Sequence, residues 1–208
     1  MLTVRQIATP GFALLSYVVT DAESGECFVV DPPGDFGPDV DLSTLNVKAV
    51  INTHTHPDHT MGNGLFSGRA PILAHEEEGG LFRRIVTSSL AAVFTVSIPP
   101  KISFTLTENT DLALGNSHIQ VLHTPGHSPG SLCLFWPGHL VCGDTIFVQG
   151  IGRTDIPGGS TGAIRKSIER LLRLPGSTRI WPGHSYGGGY TALLDEVAPS
   201  LRGILRAI

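Results

Sequence analysis

The stretch VKAVINTHTHPDH, residues 47–59, places a mostly apolar run directly before a dense group of histidines. The run from Val47 to Asn52 is apolar enough to be buried on both faces of a sheet, so it predicts a strand. Residues 54–59 then hold three imidazoles and one carboxylate. Metal-ligating side chains are rarely this concentrated by chance. The segment therefore indicates a metal site in a loop at the end of a strand.

The spacing within this group predicts two binding points. Alternate residues of an extended chain point to the same side, so His54 and His56 are expected to bind one ion. A turn at Pro57 then directs Asp58 and His59 toward a second point nearby.

Three further segments repeat the order of a strand, a tight turn containing glycine, and a candidate ligand. They are TPGHSPG at residues 124–130, VCGDT at residues 141–145 and WPGHS at residues 181–185. Alone, each His or Asp is typical of a turn residue, but together with the cluster they favour metal ligation. The predicted metal ligands are His54, His56, Asp58, His59, His127, Asp144 and His184. The other four histidines are predicted to be surface or core residues: His75, His118, His123 and His139.

The rest of the chain predicts two strand-rich halves, each finished by helix. Strands are expected at residues 13–20, 27–30, 117–122, 131–136, 140–142 and 179–181, in addition to 47–52. Helices are expected at residues 76–90, at residues 161–174, and at residues 192–208 with a break near Pro199. Two sheets packed face to face with helices outside would bury this much apolar surface, although periodicity alone leaves other α/β layers open.

The composition is that of a compact globular chain. Of the 208 residues, 41% are hydrophobic and 15% are charged, and the formal net charge is −4. A weakly acidic chain without a basic run argues against nucleic acid or a membrane as the main partner. The first residues lack the pattern of a signal peptide, and the three cysteines form neither an even framework nor a C-x-x-C pair. We therefore expect a cytoplasmic location, and the oligomeric state stays open.

The order H-x-H-x-D-H, then one His, one Asp and one His, resembles the metallo-β-lactamase superfamily from residue 54 to residue 184. The resemblance implies an α/β fold, a four-layer αββα sandwich, as a single metallo-β-lactamase-like domain over residues 1–208. It also implies two divalent metal ions, with zinc expected first and iron or manganese as alternatives. The implied ligands are His54, His56 and His127 for the first ion, Asp58, His59 and His184 for the second, and Asp144 as the bridge.

Two subfamilies share further motifs with this sequence. The loop GDTIFVQGIGRTD, residues 143–155, is similar to that of short glyoxalase II-like (hydroxyacylglutathione hydrolase-like) proteins and of persulfide dioxygenases. PGHSY at residues 182–186 is closer to the glyoxalase II form, whereas residues 52–65 and 21–26 are closer to the dioxygenases. The resemblance implies that Arg153 and Tyr186 contact the glutathione part of a substrate. The residues alone fit a surface salt bridge and local packing equally well.

The leading hypothesis is a metal-dependent hydrolase acting on a glutathione-type or other small thioester. A hydroxide bridging the ions, oriented by Asp58 as the catalytic residue, would attack the carbonyl, since two ions lower the pKa of water toward ~7. A thiolate leaves without a strong general acid, which suits a site with no evident acid or base beyond the ligands. The alternative is a mononuclear iron dioxygenase acting on glutathione persulfide, with iron bound by His54, His127 and Asp144. A module that only stores metal is the third hypothesis.

Overall fold

The computed structural model describes residues 1–9, 13–80, 101–186 and 189–208. Within these ranges the strands form two six-stranded sheets and one small two-stranded sheet. The first sheet follows chain order, with β1 (Leu2–Thr9), β2 (Leu14–Asp21), β3 (Glu26–Val30), β4 (Asn46–Ile51), β5 (Ile72–His75) and β6 (Ser103–Leu106). The second sheet contains β7 (Asp111–Leu114), β8 (Ser117–His123), β9 (Leu132–Trp136), β10 (His139–Gly143), β13 (Arg179–Pro182) and β14 (Ala192–Leu193), in the order β14-β13-β10-β9-β8-β7. The small sheet pairs β11 (Ile146–Phe147) with β12 (Gly150–Ile151).

The helices of the described residues are one short turn and two longer elements. They are α1 (Pro57–Thr60), α2 (Thr161–Leu171) and α3 (Leu194–Ala207). Single 3-10 turns occur at Leu42–Thr44, Asn63–Phe66 and Glu76–Glu78. No helix among the described residues is long and apolar enough to cross a membrane.

The main core lies between the two six-stranded sheets. Alternate residues of β2, namely Leu15, Tyr17 and Val19, meet side chains of the second sheet such as Val121 and Leu134. Alternation of this kind is what a strand with one face toward a second sheet requires. The protein is therefore an α/β sandwich, as the sequence predicts.

The outer faces of both sheets are also covered. On the second sheet, α2 and α3 pack their apolar sides over β9 and β10, with Ile168 and Leu201 among the buried side chains. On the first sheet, Phe36 and Phe66 lie over Val29 and Val50. Several strands end at one edge of the sandwich, and loops occupy this edge.

Two helix predictions need correction. At residues 76–90, a 3-10 turn occupies Glu76–Glu78 where an α-helix was expected, and residues 81–90 lie outside the described residues. The C-terminal helix is not broken at Pro199 but runs through it, and residues 192–193 form β14 before it. Proline there removes one backbone hydrogen bond, and burial of Val197, Leu201 and Leu205 on the same side holds the helix together. All seven predicted strands and the helix at 161–174 begin within one residue of the observed elements.

Candidate metal centre

The predicted ligands follow the ends of four strands at one edge of the sandwich. Strands β8, β10 and β13 run in the same direction, because β9 is antiparallel to both β8 and β10, and β13 is parallel to β10. Their carboxyl ends therefore lie at the same edge, where His127, Asp144 and His184 follow them. The loop after β4 joins them, since the Leu132 N–H donates to the Thr53 carbonyl over 2.9 Å.

One group of three donors consists of His54, His56 and His127. One ring nitrogen of each lies within 4.8 Å of the others. Nδ1 of His56 and Nε2 of His127 are 2.9 Å apart, so the two rings face a common point. All three side chains are buried.

A second group of three donors consists of Asp58, His59 and His184, again within 4.8 Å of one another. Nε2 of His59 lies 3.2 Å from Nε2 of His184, and Oδ2 of Asp58 lies 3.4 Å from the same His184 nitrogen. Both Asp58 and His59 belong to the short helix α1, which begins at Pro57. The two histidines are buried, and the Asp58 side chain is 28% exposed toward solvent.

Asp144 lies between the two groups. One carboxylate oxygen is 3.4 Å from Nε2 of His59, and the other is 3.4 Å from Nε2 of His127 and 3.6 Å from Nε2 of His184. His54, His59 and Asp144 form a third set of donors within 4.8 Å. The structure thus brings together all seven predicted ligands.

These residues fit divalent metal ions. Oδ1 of Asp144 is buried and accepts no hydrogen bond from the described residues, although a buried carboxylate oxygen normally has a partner. The space around it is kept open by Gly183, because a Cβ there would lie 2.3 Å from Oδ1 of Asp144 and 2.9 Å from the His59 ring. Imidazole and carboxylate ligands together suit zinc, iron and manganese.

The charges of the site also favour a cation. Burial, reinforced by the neighbouring His127 ring, lowers the pKa of His56 to about 3, so this imidazole keeps its lone pair at neutral pH. Burial works against ionisation of Asp58, but His59 and His184 beside it outweigh burial and hold its pKa at about 2. His59 is buried as well, yet the carboxylates of Asp144, Asp31 and Asp58 raise its pKa well above the usual value. Carboxylates therefore dominate the local field.

Hydrogen bonds at Nδ1 orient two of the imidazoles, those of His59 and His127. Nδ1 of His59 lies 2.9 Å from Oδ2 of Asp31, and Nδ1 of His127 lies 2.9 Å from the carbonyl oxygen of Arg153. When Nδ1 donates its proton in this way, Nε2 is left with a lone pair for a metal. Asp31 is not among the site residues predicted from the sequence. Its position directly after β3 was the one signal available.

A cavity of about 420 Å³ opens onto the two groups of donors. Its wall includes Phe147 and Ile156, together with both predicted substrate contacts, Arg153 and Tyr186. The Tyr186 ring stacks on His184 with 4.6 Å between ring centres. Arg153 donates two hydrogen bonds, of 2.8 and 2.9 Å, to the exposed carboxylate of Asp155.

The four histidines predicted to lie outside the site do lie outside it. His118 is exposed and pairs with Asp111, and His139 stacks on Trp136. His75 and His123 stack on each other with ring centres 3.9 Å apart. None of the four belongs to the sets of potential metal donors found among the described residues.

The chain belongs to the metallo-β-lactamase superfamily, whose family pattern matches residues 10–184. A hydroxyacylglutathione hydrolase of Nitrosococcus oceani is 32% identical over 179 residues, which is 82% of this chain and 62% of that relative. The chain therefore spans less than two thirds of that hydrolase. The mitochondrial persulfide dioxygenase ETHE1 of Homo sapiens is 26% identical over 200 residues, 93% of this chain and 72% of that protein.

Solved structures agree on the fold. The crystal structure of TTHA1623 in a di-iron-bound form superposes with a TM-score of 0.79 at 29% identity, covering 94% of this chain and 98% of that one. The BLEG-1 B3 metallo-beta-lactamase also superposes with a TM-score of 0.79, at 27% identity, covering 93% and 95% of the two chains. The fold and family predicted from the sequence are thus confirmed.

Proposed function

We propose that the protein is a dinuclear metal-dependent hydrolase that cleaves a glutathione-type or other small thioester. The observation that carries the proposal is the Asp144 carboxylate, whose oxygens lie 3.4 Å from His59 on one side and 3.4 Å from His127 on the other. A carboxylate between two groups of three donors suits a pair of divalent ions. The proposed ligands are His54, His56 and His127 for one ion, Asp58, His59 and His184 for the other, and Asp144 between them.

The chemistry needed is addition of water to a thioester carbonyl and cleavage of the C–S bond, which yields a carboxylic acid and a thiol. Two divalent ions in this site would lower the pKa of water toward neutrality and polarise a carbonyl oxygen. Asp58 stays a carboxylate, with a pKa of about 2, and its partly exposed oxygens accept a hydrogen bond from the attacking water and orient it. The leaving thiolate, whose parent thiol has a pKa of ~8.5, departs without a proton donor.

The cavity supplies the substrate contacts. Phe147, Ile151 and Ile156 give it an apolar wall on which the carbon chain of an acyl group can pack. Arg153 and Tyr186 stand beside this wall, and we propose that they bind the glutathione part of the substrate. The named hydroxyacylglutathione hydrolase relative supports a glutathione thioester as substrate. We also propose that residues 1–208 form one domain, because both sheets share one core.

A persulfide dioxygenase is the second candidate, and the match to the human ETHE1 over 93% of this chain favours it. In that case one iron is held by His54, His127 and Asp144, and the second group of donors binds no metal. The close approach of Asp58, His59 and His184 supports the two-ion hydrolase instead.

Metal analysis of the purified protein combined with two assays decides between them. Two ions per chain with hydrolysis of lactoylglutathione supports the hydrolase. One iron with oxygen uptake on glutathione persulfide supports the dioxygenase. Full metal occupancy without turnover of thioesters, lactones or phosphodiesters would support metal storage.

The variant Asp58→Ala sharpens this test. It is expected to lose the second ion and ~100-fold or more of the hydrolysis rate, because it removes both a ligand and the group that orients water. Asp39→Ala, at an exposed position, serves as the matched control and should keep the second ion and the hydrolysis rate. Full activity of Asp58→Ala would reject the two-ion mechanism.

A further inference from the structure

Glu78 is a deeply buried carboxylate outside the seven proposed ligands. It ends the 3-10 turn Glu76–Glu78, and it is 1% exposed, whereas Glu76 and Glu77 beside it are exposed. Burying a carboxylate is energetically costly unless hydrogen bonds replace those of water. Its partners therefore show what this side chain is for.

The partners come from two loops, and each loop occupies one oxygen. Oε2 accepts from the Thr55 N–H at 3.0 Å and from the Thr55 hydroxyl. Oε1 accepts from the Ser128 hydroxyl at 2.7 Å and from the Gly130 N–H at 2.9 Å. Four donors thus converge on one carboxylate.

Both loops carry proposed ligands of the first ion. Thr55 stands between His54 and His56, and Ser128 directly follows His127. The carboxylate therefore joins two segments that are far apart in the chain, at positions adjacent to all three imidazoles of the first group.

Gly130 shows that the second loop is built around this side chain. A Cβ at Gly130 would lie 2.6 Å from Cγ of Glu78 and 2.8 Å from its backbone nitrogen. Any larger residue would push the loop of His127 away from Glu78.

We infer that Glu78 is a positioning residue that fixes the distance between the loop of His54 and His56 and the loop of His127, and so sets the affinity of the first metal ion. The inference rests on the ligand set of the proposed function. None of the four hydrogen bonds reaches Asp58, His59 or His184, so the second ion should be insensitive to Glu78. A general loss of stability would weaken both ions alike.

The variant Glu78→Gln tests this with little change in shape. An amide offers one acceptor oxygen and one NH₂ group, and the NH₂ group cannot accept from the backbone N–H of Gly130 or Thr55. Supporting groups of this kind typically contribute 10–100-fold to metal affinity, so we expect the first ion to bind about tenfold or more weakly. Glu77→Gln is the matched control, because it removes the same charge from the same turn at an exposed position.

The experiment is a calorimetric titration of the metal-free proteins with Zn²⁺, with near-UV circular dichroism to check folding. Glu77→Gln should bind two ions, each with the same affinity as in the wild type. Glu78→Gln should bind one ion with the wild-type affinity and the other about tenfold or more weakly. Repeating the titration in two variants, each of which lacks a ligand of one ion, shows which of the two ions Glu78 affects. In His184→Ala, Glu78→Gln should weaken the remaining ion, whereas in His56→Ala it should leave the remaining ion unchanged.

Unchanged affinities in Glu78→Gln, or equal weakening of both ions, would overturn the inference while leaving the proposed function intact. A wild-type protein that binds no ion would overturn the proposed function itself. If Glu78→Gln does not fold, Ser128→Ala removes a single donor to the same carboxylate and should weaken the same ion by a smaller factor. Two unchanged affinities in that variant would also overturn the inference.

Discussion

Oδ2 of Asp31 lies 2.9 Å from Nδ1 of His59 and holds the far nitrogen of that ring toward His184. Both carboxylate oxygens are also anchored by Thr53, whose N–H and hydroxyl donate over 2.7 and 2.6 Å. Asp31 adopts a φ of +49°, in the left-handed region that Asp tolerates better than most residues. A strained turn after β3 therefore places one carboxylate behind the proposed second metal ion.

Asp31→Asn should lower the affinity of the protein for the proposed second metal ion. An amide NH₂ facing His59 would favour the tautomer with the proton on Nε2, which blocks the lone pair that a metal needs. We expect a ~10–100-fold loss of affinity for one ion, measured by titration with Zn²⁺. The exposed Asp39→Asn is the control and should behave as wild type. Unchanged binding by Asp31→Asn would show that the contact does not orient His59.

Gly183→Ala should reduce the binding of both ions. The added Cβ would lie 2.3 Å from Oδ1 of Asp144, so the carboxylate proposed to join the two ions must move. Gly64→Ala adds the same atom where no other atom lies within 4 Å, and it should keep its metal. Metal content after dialysis, measured by elemental analysis, compares the two. Full occupancy of Gly183→Ala would argue against a ligand role for Asp144.

Arg153→Gln should raise the KM for a glutathione thioester roughly tenfold with little change in kcat, as loss of a charged hydrogen bond to substrate would. An uncharged thioester should show no such change. Arg173→Gln, an exposed arginine on the surface beyond α2, provides the control. A KM for the glutathione thioester that is unchanged from wild type in Arg153→Gln would leave Arg153 only its pair with Asp155, at 2.8 Å.

The pair between Glu108 and Arg170 predicts a pH-dependent stability. Hydrogen bonds from Arg170 lower the pKa of Glu108 below its usual value, so the pair stabilises the folded state above the unfolded pKa and is lost as pH falls through the folded one. Both side chains are partly exposed, so Glu108→Gln should lower the free energy of unfolding by only ~0.5–1 kcal/mol at pH 7.

Urea unfolding at pH 7 and pH 3 measures this difference, which should shrink at pH 3. Glu169→Gln, whose partner Arg165 is 4.0 Å away, should change stability less at either pH. A difference independent of pH would mean that the carboxylate charge contributes nothing.

The sequence predicts the proposed metal ligands better than the residues that position those ligands. The ligands follow strand ends, and the alternation of a strand and the turn at Pro57 are local signals that single-sequence reasoning can use. The sequence does not predict the roles of Asp31 and Glu78, because these roles depend on hydrogen-bond donors such as Thr53 and Thr55. Only the fold brings those donors near the two carboxylates. Nothing local separates Glu78 from the two exposed glutamates before it.

The two helix corrections have a similar origin. Pro199 should end a helix on local grounds, but burial of the apolar side of α3 against the second sheet outweighs one lost hydrogen bond. In Glu76–Glu78 the chain turns tightly so that its last carboxylate can enter the interior. Tertiary packing decides both, and it is not encoded in the spacing of nearby residues.

The most direct test of the proposed two-ion site is the anomalous diffraction of a crystal grown with Zn²⁺. Two peaks per chain are expected, one bound by His54, His56 and His127 and the other by Asp58, His59 and His184, with Asp144 reaching both. A single peak with the second group of donors empty, or no peak among these residues, would contradict it.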